Sequence, residues 1–440
     1  MDMKWIQYPA KNQWPEILKR PKLDQTLLER QVAEILADIK LNGDAALTKY
    51  TLQFDGIHLE EFAVGTDEIR KAGQQLEERL KLAIGQAALN IRIFHRHQLD
   101  TVGRVETMPG VVCWHRYAPI ERVGLYIPGG SAPLFSTLLM LGIPAKLAGC
   151  REIVLCTPPG PQGAIHPAIL YTAELVGIHH IFRVGGIQAI GAMAFGTSTI
   201  PMVEKIFGPG NQYVSCAKKL VHISGTAIDI QAGPSEVAVL ADDTAVPEFV
   251  AADLLAQAEH GSDSQVLLVT WDPELARRTQ ISLEEQLKDL PRAAVAARAL
   301  ENSMVILVKD AETAIELVNA YAPEHLIISC ASDEQIAIRI DHAGSIFLGN
   351  YSPESAGDYA SGTNHTLPTN GQARVFSGVS VDSFVKRITL QKLSREGLEN
   401  IGPTVEAMAE AEGLEAHRRS VEIRLRGSKQ EPEGKDKGSL

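Results

Sequence analysis

Apolar residues in the N-terminal part of the chain recur at helical spacing. Between Gln25 and Lys40 they stand three or four positions apart, and Asp24 occupies the position of a helix N-cap. Asp67 stands in the same way before a second run, which extends to about His97. The pattern therefore predicts two long amphipathic helices, each with an apolar face that packs on a neighbouring body.

The pattern changes near Arg122, where short apolar runs begin to alternate with helix-like stretches. This alternation is typical of βαβ units built around a parallel sheet. We predict strands in two series, at Glu152–Cys156, Ile181–Val184 and Lys205–Phe207, and then at Glu236–Leu240, Gln265–Thr270, Met304–Val308, Leu326–Ser329 and Ser345–Leu348. The predicted fold class is α/β, with two Rossmann-like parallel-sheet domains and helical elements at both ends of the chain.

These patterns divide the chain into four parts. Residues 1–125 and 236–380 are expected to form a first α/β domain with a helical N-terminal part, and residues 126–235 a second one. Residues 381–426 form a charged helical segment in which Gly402-Pro403 is the one clear break. From Arg426 onward the sequence has almost no apolar content, so residues 427–440 are expected to be a disordered tail.

Composition narrows the class of protein. A chain that is 45% hydrophobic and 22% charged is typical of a soluble globular protein. Its net charge of −12 argues against nucleic acid or an anionic membrane as the main partner. The best apolar stretch, Leu134–Gly149, is too short to span a bilayer, and no signal peptide is evident, so we expect a cytoplasmic protein. The five cysteines form no CxxC motif, and Cys150 and Cys156 are expected in the core.

Three glycine-rich turns follow predicted strands, at Tyr126–Ser131, Arg183–Gln188 and Phe207–Asn211. Ligands of an open α/β sheet bind beyond the carboxyl ends of the strands, and a helix N-terminus offers unpaired N–H groups to a phosphate. The segments could equally be ordinary tight turns. Neither GxGxxG nor GxxxxGK[ST] is present, so the pattern alone leaves a nucleotide site undecided.

Two short motifs combine imidazole with oxygen donors. Gln257 and His260 are three residues apart and share a helix face, and Glu259 is an alternative ligand beside them. Imidazole and amide oxygen can bind a cation, although a solvated helix end is the more common explanation. Glu324 and His325 lie at a helix–strand junction and form a plausible proton-transfer pair, although a strand cap is the more common role.

Two further segments carry candidate residues. A long loop from Asn350, rich in small polar residues, contains Asp358 and His365, and such loops are commonly functional. Glu412 and His417 are five residues apart, about 140° around a helix, so they share a face only if the intervening glycine bends it. The residue pattern alone does not single out this last pair.

Taken together, these segments closely resemble the histidinol dehydrogenase family. The matching stretches follow the order of the family from Arg122 to Arg418, and the helical N-terminal part also fits. They are RVGLYIPGGSAPLFST, RVGGIQAIGAMAFGT, KIFGPGNQYV, DIQAGPSEVAVLAD, DLLAQAEHGSDSQV, NAYAPEHL, AGSIFLGNYSPESAGDYASGTNHTLPT and AEGLEAHR.

The resemblance implies a role for each candidate residue. One Zn²⁺ per subunit would be bound by Gln257, His260, Asp358 and His417. NAD would contact Tyr126, Gln188 and Asn211. The substrate would contact Ser235, Gln257, His260, His325, Asp358, His365, Glu412 and His417. The proton acceptors would be Glu324 and His325.

The resemblance also implies a reaction. It would be two successive NAD-dependent oxidations of L-histidinol, through L-histidinal, to L-histidine, with zinc orienting the substrate, His325 as general base and Glu324 activating water. The C-terminal segment would reach the site of a second subunit, which implies a homodimer. A related dehydrogenase for another small polar alcohol, such as a sulfonated diol, remains an alternative, although the Glu412 carboxylate argues against a sulfonate. A zinc-assisted hydrolase and a non-catalytic metal-binding module are the others.

Overall fold

Two parallel sheets, each flanked by helices, form most of the structure. The computed structural model describes residues 3–20, 26–99, 103–129, 133–230 and 233–427. It contains a six-stranded sheet, a five-stranded sheet and a smaller three-stranded one. Within the described residues, the strand pairs of the two larger sheets are parallel, which confirms the predicted α/β class.

The N-terminal elements are β1 (Lys4–Gln7), α1 (Trp14–Ile17), α2 (Thr26–Asn42), α3 (Asp44–Asp55), α4 (Thr66–Ala72), α5 (Glu78–His95), β2 (Val105–Met108) and β3 (Val111–Pro119). The single helix predicted from Asp67 to His97 is wrong, because a 3-10 turn begins at Gly73 and Glu77 is extended. The side chain of Tyr171 packs against Gly73 at this break. The cap predicted at Asp24 lies outside the described residues.

The five-stranded sheet is built from β4 (Arg122–Tyr126), α6 (Phe135–Ala148), β5 (Glu152–Thr157), α7 (Pro167–Val176), β6 (His180–Arg183), α8 (Gly186–Phe195), β7 (Lys205–Phe207), α9 (Gln212–Ile223) and β8 (Ala227–Ile228). Its strand order is β6-β5-β4-β7-β8. Helix α2 packs on α8 and α9, α4 on α7, and α5 on α6. Helices α2, α4 and α5 and strand β4 thus lie with this sheet, whereas β1 and α1 lie with the six-stranded one.

The six-stranded sheet has the order β1-β11-β10-β9-β12-β13. Its further elements are β9 (Glu236–Ala241), α10 (Pro247–Ala258), β10 (Gln265–Thr270), α11 (Pro273–Leu287), α12 (Ala293–Glu301), β11 (Met304–Leu307), α13 (Ala311–Tyr321), β12 (His325–Ser329), α14 (Asp333–Ala337), β13 (Ser345–Leu348) and α15 (Glu354–Tyr359). All eight predicted strands are present, with ends that agree to within one residue. The segment from Asn350 was predicted as loop, but it contains the short helix α15.

A second compact unit combines Leu99–Ala118 with the chain from Val385 onward. It contains β14 (Val385–Leu393), α16 (Arg395–Ala411) and α17 (Glu415–Gly427), and its sheet has the order β14-β3-β2. The two helices were expected. The strand β14 was not, because most of its residues are exposed and give no apolar run.

The break predicted at Gly402-Pro403 is wrong, since Pro403 lies inside α16. Gly402 is buried, and its missing side chain leaves room for Val421 and Leu425 of α17. Close packing between the two helices therefore keeps α16 continuous through the proline. Helix α17 includes Arg426, and residues 428–440 of the expected tail lie outside the described residues.

The burial of two cysteines and the length and polarity of the helices agree with the sequence analysis. Cys150 and Cys156 are buried as predicted, within the core that surrounds the five-stranded sheet. Across the described ranges, the helices are too short or too polar to cross a bilayer.

Candidate active site

A cavity of about 1060 Å³ opens at the carboxyl ends of the five-stranded sheet. Tyr126 ends β4, Gln188 lies in the first turn of α8, and Asn211 is the N-cap of α9. All three line this one cavity. The structure thus brings together the three residues that the resemblance assigned to NAD, at the edge where an open α/β sheet binds its ligands.

Each of these side chains is fixed by its local surroundings. The Tyr126 hydroxyl accepts a hydrogen bond from the Gly186 N–H at 3.1 Å, and burial raises the pKa of Tyr126 to about 12, so it stays protonated. The Asn211 Oδ1 accepts from the first N–H groups of α9. Gln188 is 1% exposed, and its Oε1 has no hydrogen-bond partner among the described residues. A buried polar atom without a partner fits a bound polar ligand.

The turn after β7 is held rigidly against the cavity. Gly208 has φ +124°, and a Cβ there would lie 2.0 Å from the Tyr126 carbonyl oxygen, so only glycine fits. The buried Lys218 ammonium pairs with Asp229 and donates to the Gly208 carbonyl at 2.8 Å. Asp229 Oδ2 in turn accepts from the Gly208 N–H at 2.7 Å. The ion pair therefore fixes both backbone groups of the glycine.

A second group of polar side chains gathers at the amino ends of β9 and β12. Glu236 and His325 are the first residues of these strands, and Glu324 immediately precedes the second of them. The sequence placed Glu324 and His325 at a junction between a helix and a strand, which agrees with their position at the amino end of β12. The end of α10 and the segment after α13 arrive at the amino edge, and they bring the functional side chains with them.

Glu324 and His325 are buried beside the backbone of Glu236. Glu324 Oε2 accepts from the Glu236 N–H at 2.9 Å, and His325 Nδ1 lies 3.2 Å from the Glu236 carbonyl oxygen. The other ring nitrogen, Nε2, is 3.5 Å from Asp358 Oδ1. Burial raises the pKa of Glu324 to about 8. Burial lowers the pKa of His325, but the charges of Glu354, Glu324 and Asp358 outweigh it and hold that pKa well above its usual value.

Arg20 holds the side chain of Glu236, whose backbone contacts Glu324 and His325. Its Nε and second terminal nitrogen lie 2.5 and 2.8 Å from the two carboxylate oxygens of Glu236, and its guanidinium stacks on the Tyr321 ring at 4.0 Å. It also donates to the carbonyl oxygen of Ala322 at 3.3 Å, a residue in the left-handed region at φ +54°. Arg20 and Glu236 were missed by sequence reasoning, because no local pattern connects residues so far apart.

Three of the four residues that the resemblance assigned to zinc, Gln257, His260 and Asp358, lie close together, with Glu354 as a further carboxylate. Ligand atoms of His260, Glu354 and Asp358 lie within 4.8 Å of one another. Glu354 and Asp358 are four residues apart in α15, so both face the same side, and this spacing in ESAGD is the signal that could have revealed Glu354. Gln257 lies beside them, since its amide can donate to Glu354 Oε1 at 2.5 Å and accept from the Glu236 N–H at 3.0 Å.

The chemistry of this donor set fits a divalent cation. Glu354 Oε2 and Asp358 Oδ1 are buried and have no hydrogen-bond partner among the described residues. Burial, followed by the charges of Asp358 and Glu324, raises the pKa of Glu354 to about 8. Imidazole and carboxylate ligands with an amide beside them could hold zinc.

Ser235 and His365 lie next to this group. Ser235 is half-buried and immediately precedes β9. The His365 ring contacts the Thr137 hydroxyl at 3.0 Å and the Asp358 carbonyl oxygen at 2.8 Å. His365 therefore connects α6, beside the five-stranded sheet, with the helix that carries Asp358. Glu259, the alternative ligand, is the C-cap of α10 and does not belong to the three-residue group.

Glu412 and His417 belong to the second compact unit and are exposed. Helix α16 ends at Ala411, Gly413 has φ +72°, and α17 begins at Glu415. The glycine therefore bends the chain between the two side chains, which is the condition under which they could act together.

The fold and the site define an α/β enzyme with a nucleotide-sized cavity and a buried acid–imidazole cluster. The family model for histidinol dehydrogenase matches residues 18–425. The chain is 55% identical over 423 residues to the histidinol dehydrogenase of Bacteroides thetaiotaomicron, with 96% of this chain and 99% of that one covered. It is 50% identical over 419 residues to that of Vibrio parahaemolyticus, which covers 94% of this chain and 96% of the relative.

A solved structure gives the same result. The crystal structure of histidinol dehydrogenase from Elizabethkingia anophelis superimposes with a TM-score of 0.96 at 53% identity, and the match covers 97% of this chain and 99% of that one. The chain belongs to the histidinol dehydrogenase family.

Proposed function

We propose that this protein is an NAD- and zinc-dependent histidinol dehydrogenase, which oxidises L-histidinol through L-histidinal to L-histidine in histidine biosynthesis. Family membership along almost the whole chain supports the substrate. The observation that carries the chemistry is that a nucleotide-sized cavity and a buried Glu–His pair with a metal-type donor set occur in one compact unit.

The residues divide into two binding sets. Tyr126, Gln188 and Asn211 would hold NAD, and Gln257, His260, Asp358 and His417 would hold one Zn²⁺, with Glu354 as a further carboxylate beside it. Two NAD molecules, bound in succession, would each accept one hydride, and zinc would orient the substrate. Ser235 and His365, which flank the cluster, would contact the substrate.

His325 acts as the general base of the first oxidation. An alcohol with a pKa of roughly 16, like bulk water, does not ionise near neutral pH without a proton acceptor. The contact of His325 Nδ1 with the Glu236 carbonyl oxygen orients the imidazole ring. The other nitrogen, Nε2, then faces Asp358, one of the candidate metal ligands. A cation beside Glu354 and Asp358 would compensate the charges that raise the pKa of His325, so that a neutral Nε2 would take up the proton that leaves the substrate hydroxyl.

Glu324 acts in the second oxidation. The aldehyde must add water before a second hydride can leave, and a carboxylate next to His325 can remove a proton from that water. The Glu236 N–H holds Glu324 Oε2 in place for this task. Hydration is needed only in this half of the reaction, so the two residues of the pair have separable roles.

We further propose that the active form is a homodimer. Glu412 and His417 would come from the C-terminal segment of a second copy, where His417 completes the zinc ligands and Glu412 contacts the cationic substrate. The exposure of both side chains and the bend at Gly413 support this arrangement. An H417A variant should then lose zinc. Mixing it with a second inactive variant, H260A, should restore part of the activity through hybrid dimers that contain one intact site.

The test of the function is the yield of NADH from L-histidinol and NAD with zinc-loaded protein. We expect two NADH per histidinol and L-histidine as the product. A single NADH per substrate would contradict the second oxidation. An absence of NADH from histidinol, combined with turnover of a sulfonated diol or with hydrolysis of an ester substrate, would overturn the proposal.

A further inference from the structure

The backbone of Glu236 contacts three residues of the candidate site. Its N–H lies 2.9 Å from Glu324 Oε2 and 3.0 Å from the oxygen of the Gln257 amide. Its carbonyl oxygen lies 3.2 Å from His325 Nδ1. The proposed water-activating carboxylate, the proposed general base and a candidate zinc ligand thus depend on the position of one residue. A displacement of Glu236 would disturb all three together.

The side chain of Glu236 is held by an ion pair with Arg20. Glu236 is buried, and Arg20 contacts both of its carboxylate oxygens, at 2.5 and 2.8 Å. Glu236 Oε1 also accepts a hydrogen bond from the Asn370 N–H at 2.8 Å. A two-point contact between a guanidinium and a carboxylate fixes orientation as well as distance. Arg20 therefore helps to determine where the first residue of β9 lies.

Arg20 also holds the segment that leads into β12. It donates to the carbonyl oxygens of Tyr321 and Ala322, at 2.9 and 3.3 Å, and its guanidinium lies 4.0 Å from the centre of the Tyr321 ring. That ring is buried, and its hydroxyl donates to Gln265 Oε1 at 2.9 Å. Ala322 has φ +54°, which is unfavourable for a residue with a side chain. The bonds from Arg20 thus support a strained turn two residues before Glu324.

Arg20 joins two segments whose relative position matters for catalysis. The ladder between β9 and β12 begins with His325 opposite Val237, so Glu324 precedes the first of these pairs. The Ser345 N–H holds the Glu324 carbonyl oxygen on the side of β13, at 3.0 Å. On the side of β9, Arg20 links the approach to Glu324 with the side chain of Glu236.

We propose that Arg20 is a positioning residue of the reaction, which acts through Glu236 to hold Glu324 and His325 where proton transfer needs them. The inference rests on the proposed function, because it assigns Arg20 to that reaction. Misplacement of a reacting group slows the chemical step far more than it weakens substrate binding. The proposal therefore requires an effect on kcat rather than on KM. A role in stability alone would leave both values unchanged in a folded variant.

Two variants separate positioning from stability. R20K keeps a positive charge beside Glu236, but an ammonium cannot reproduce the two-point contact. R20Q/E236Q replaces the ion pair with two neutral amides, so that no buried charge loses its partner. R122K is the matched control, since Arg122 begins β4 at the amino edge of the other sheet. It pairs with Glu152 at 2.5 Å and donates to the Met202 carbonyl oxygen at 2.9 Å.

The assays use zinc-loaded protein and measure kcat and KM for histidinol, calorimetric NAD affinity and the thermal unfolding temperature. We expect R20K and R20Q/E236Q to lower kcat by about 10- to 100-fold, because the acid and the base are displaced. The KM for histidinol and the NAD affinity should stay within about threefold, since Arg20 acts on the chemical step through Glu236. R122K should stay within about twofold on every kinetic measure, although its unfolding temperature is expected to fall.

Chemical rescue gives a second readout. R20A removes the side chain between Glu236 and the Tyr321 ring, and added guanidinium, well below denaturing concentrations, can occupy that space. We expect guanidinium to raise the kcat of R20A several-fold and methylammonium at equal ionic strength to have no effect, because a two-point contact is restored only by the planar cation. A rise in unfolding temperature without a rise in kcat would indicate a role in stability alone and contradict the proposal.

The kinetic outcomes are equally decisive. If R20K and R20Q/E236Q are folded and keep kcat within about twofold, or if R122K loses as much, Arg20 does not position the pair, and the proposed function stands. A change confined to KM would also overturn the proposal, since it would assign Arg20 to substrate binding. If the unmutated protein forms no NADH from histidinol, the proposed function and this inference both fail.

Discussion

The two parallel sheets carry their functional residues at opposite ends of their strands. In the five-stranded sheet, Tyr126 and the turn after β7 follow strands and border a cavity at the carboxyl edge. In the six-stranded sheet, Glu236 and His325 begin strands, and the polar cluster lies at the amino edge. Most residues that line the first region are uncharged, with Glu34, Lys49 and Asp55 as the exceptions, whereas the second region concentrates carboxylates and imidazoles.

This difference shows how each region is stabilised. The cavity is complete without a ligand, because its turn at Gly208 is fixed by close packing and by the Lys218–Asp229 pair. The cluster buries several carboxyl groups together, and burial, with a further contribution from the charge of Asp358, raises the pKa values of Glu324 and Glu354 to about 8. We infer that the cavity is preformed and that the cluster gains its full stability only with a cation. The predictions below test this separation.

The largest effect is expected at His325. H325Q should lower turnover of histidinol by about 10² to 10⁴-fold, because the proton acceptor is lost. Calorimetric NAD affinity should remain within about twofold, since the described cavity lining does not include His325. H222Q, at an exposed histidine of α9, is the control and should leave turnover unchanged. A large loss of NAD affinity in H325Q would show that the two regions are not separable.

A substitution at Glu324 should affect the two oxidations to different extents. In E324Q the amide oxygen can still accept from the Glu236 N–H, so the local structure should persist. Without a base for hydration, oxidation of histidinal should fall by about 10² or more, and oxidation of histidinol by less. Single-turnover measurements that start from each substrate check this. Equal losses in both halves would contradict the assignment of Glu324 to water activation.

Gly208 tests the rigidity of the cavity. G208A places a methyl group 2.0 Å from the Tyr126 carbonyl oxygen at φ +124°, so the turn must shift. Gly225 is a matched control, since it has φ +111° and no atom within 4 Å of a Cβ. Both variants should lose about 1 kcal/mol from the unfavourable φ. G208A should lose about 2 kcal/mol more because of the steric clash, together with NAD affinity. Denaturant unfolding and calorimetry measure these values, and equal losses would refute the close-packed turn.

The smallest effect is expected at Glu354, where a substitution should stabilise the metal-free protein and destabilise the zinc-loaded protein. In protein treated with a chelator at pH 9, where Glu354 is ionised because its pKa is about 8, E354Q should raise the free energy of unfolding by about 1 kcal/mol, since an uncompensated buried charge is removed. In zinc-loaded protein the same variant should be less stable than the unmutated one and bind zinc more weakly. E248Q, at an exposed position near the start of α10, should show no such reversal. Stabilisation of E354Q in both states would argue against a cation beside Glu354.

Local sequence patterns predicted the sheets well and their edges poorly. The strands Lys205–Phe207, Gln265–Thr270 and Ser345–Leu348 have the predicted ends, because each is a short run of strand-forming residues between turn residues. The strands β1 and β14 were missed, since they are short or largely exposed and take their stability from a neighbour. The proline in α16 failed as a helix breaker because packing at Gly402 overrode local propensity.

In the candidate site, too, the sequence revealed only those relations in which the residues are close together along the chain. Glu324 and His325 are adjacent in sequence, so their chemistry was visible in the motif, although the residue pattern gave no reason to prefer it. Arg20 contacts Glu236 across 216 residues of sequence, a relation that no local spacing reveals. Glu354 was predictable in principle, because its spacing from Asp358 is helical, but a loop was expected there.

The Arg20 contacts also constrain the order in which the protein assembles during synthesis. Strand β1 pairs with β11, and Arg20 bonds to a carbonyl oxygen 301 residues further along the chain. A ribosome therefore releases the first strand and this arginine long before their partners exist. Domains form as their segments emerge, and contacts of high sequence separation come last. The cavity at the carboxyl edge of the five-stranded sheet, whose described lining ends at Tyr213, can form while the amino edge of the other sheet is still being translated.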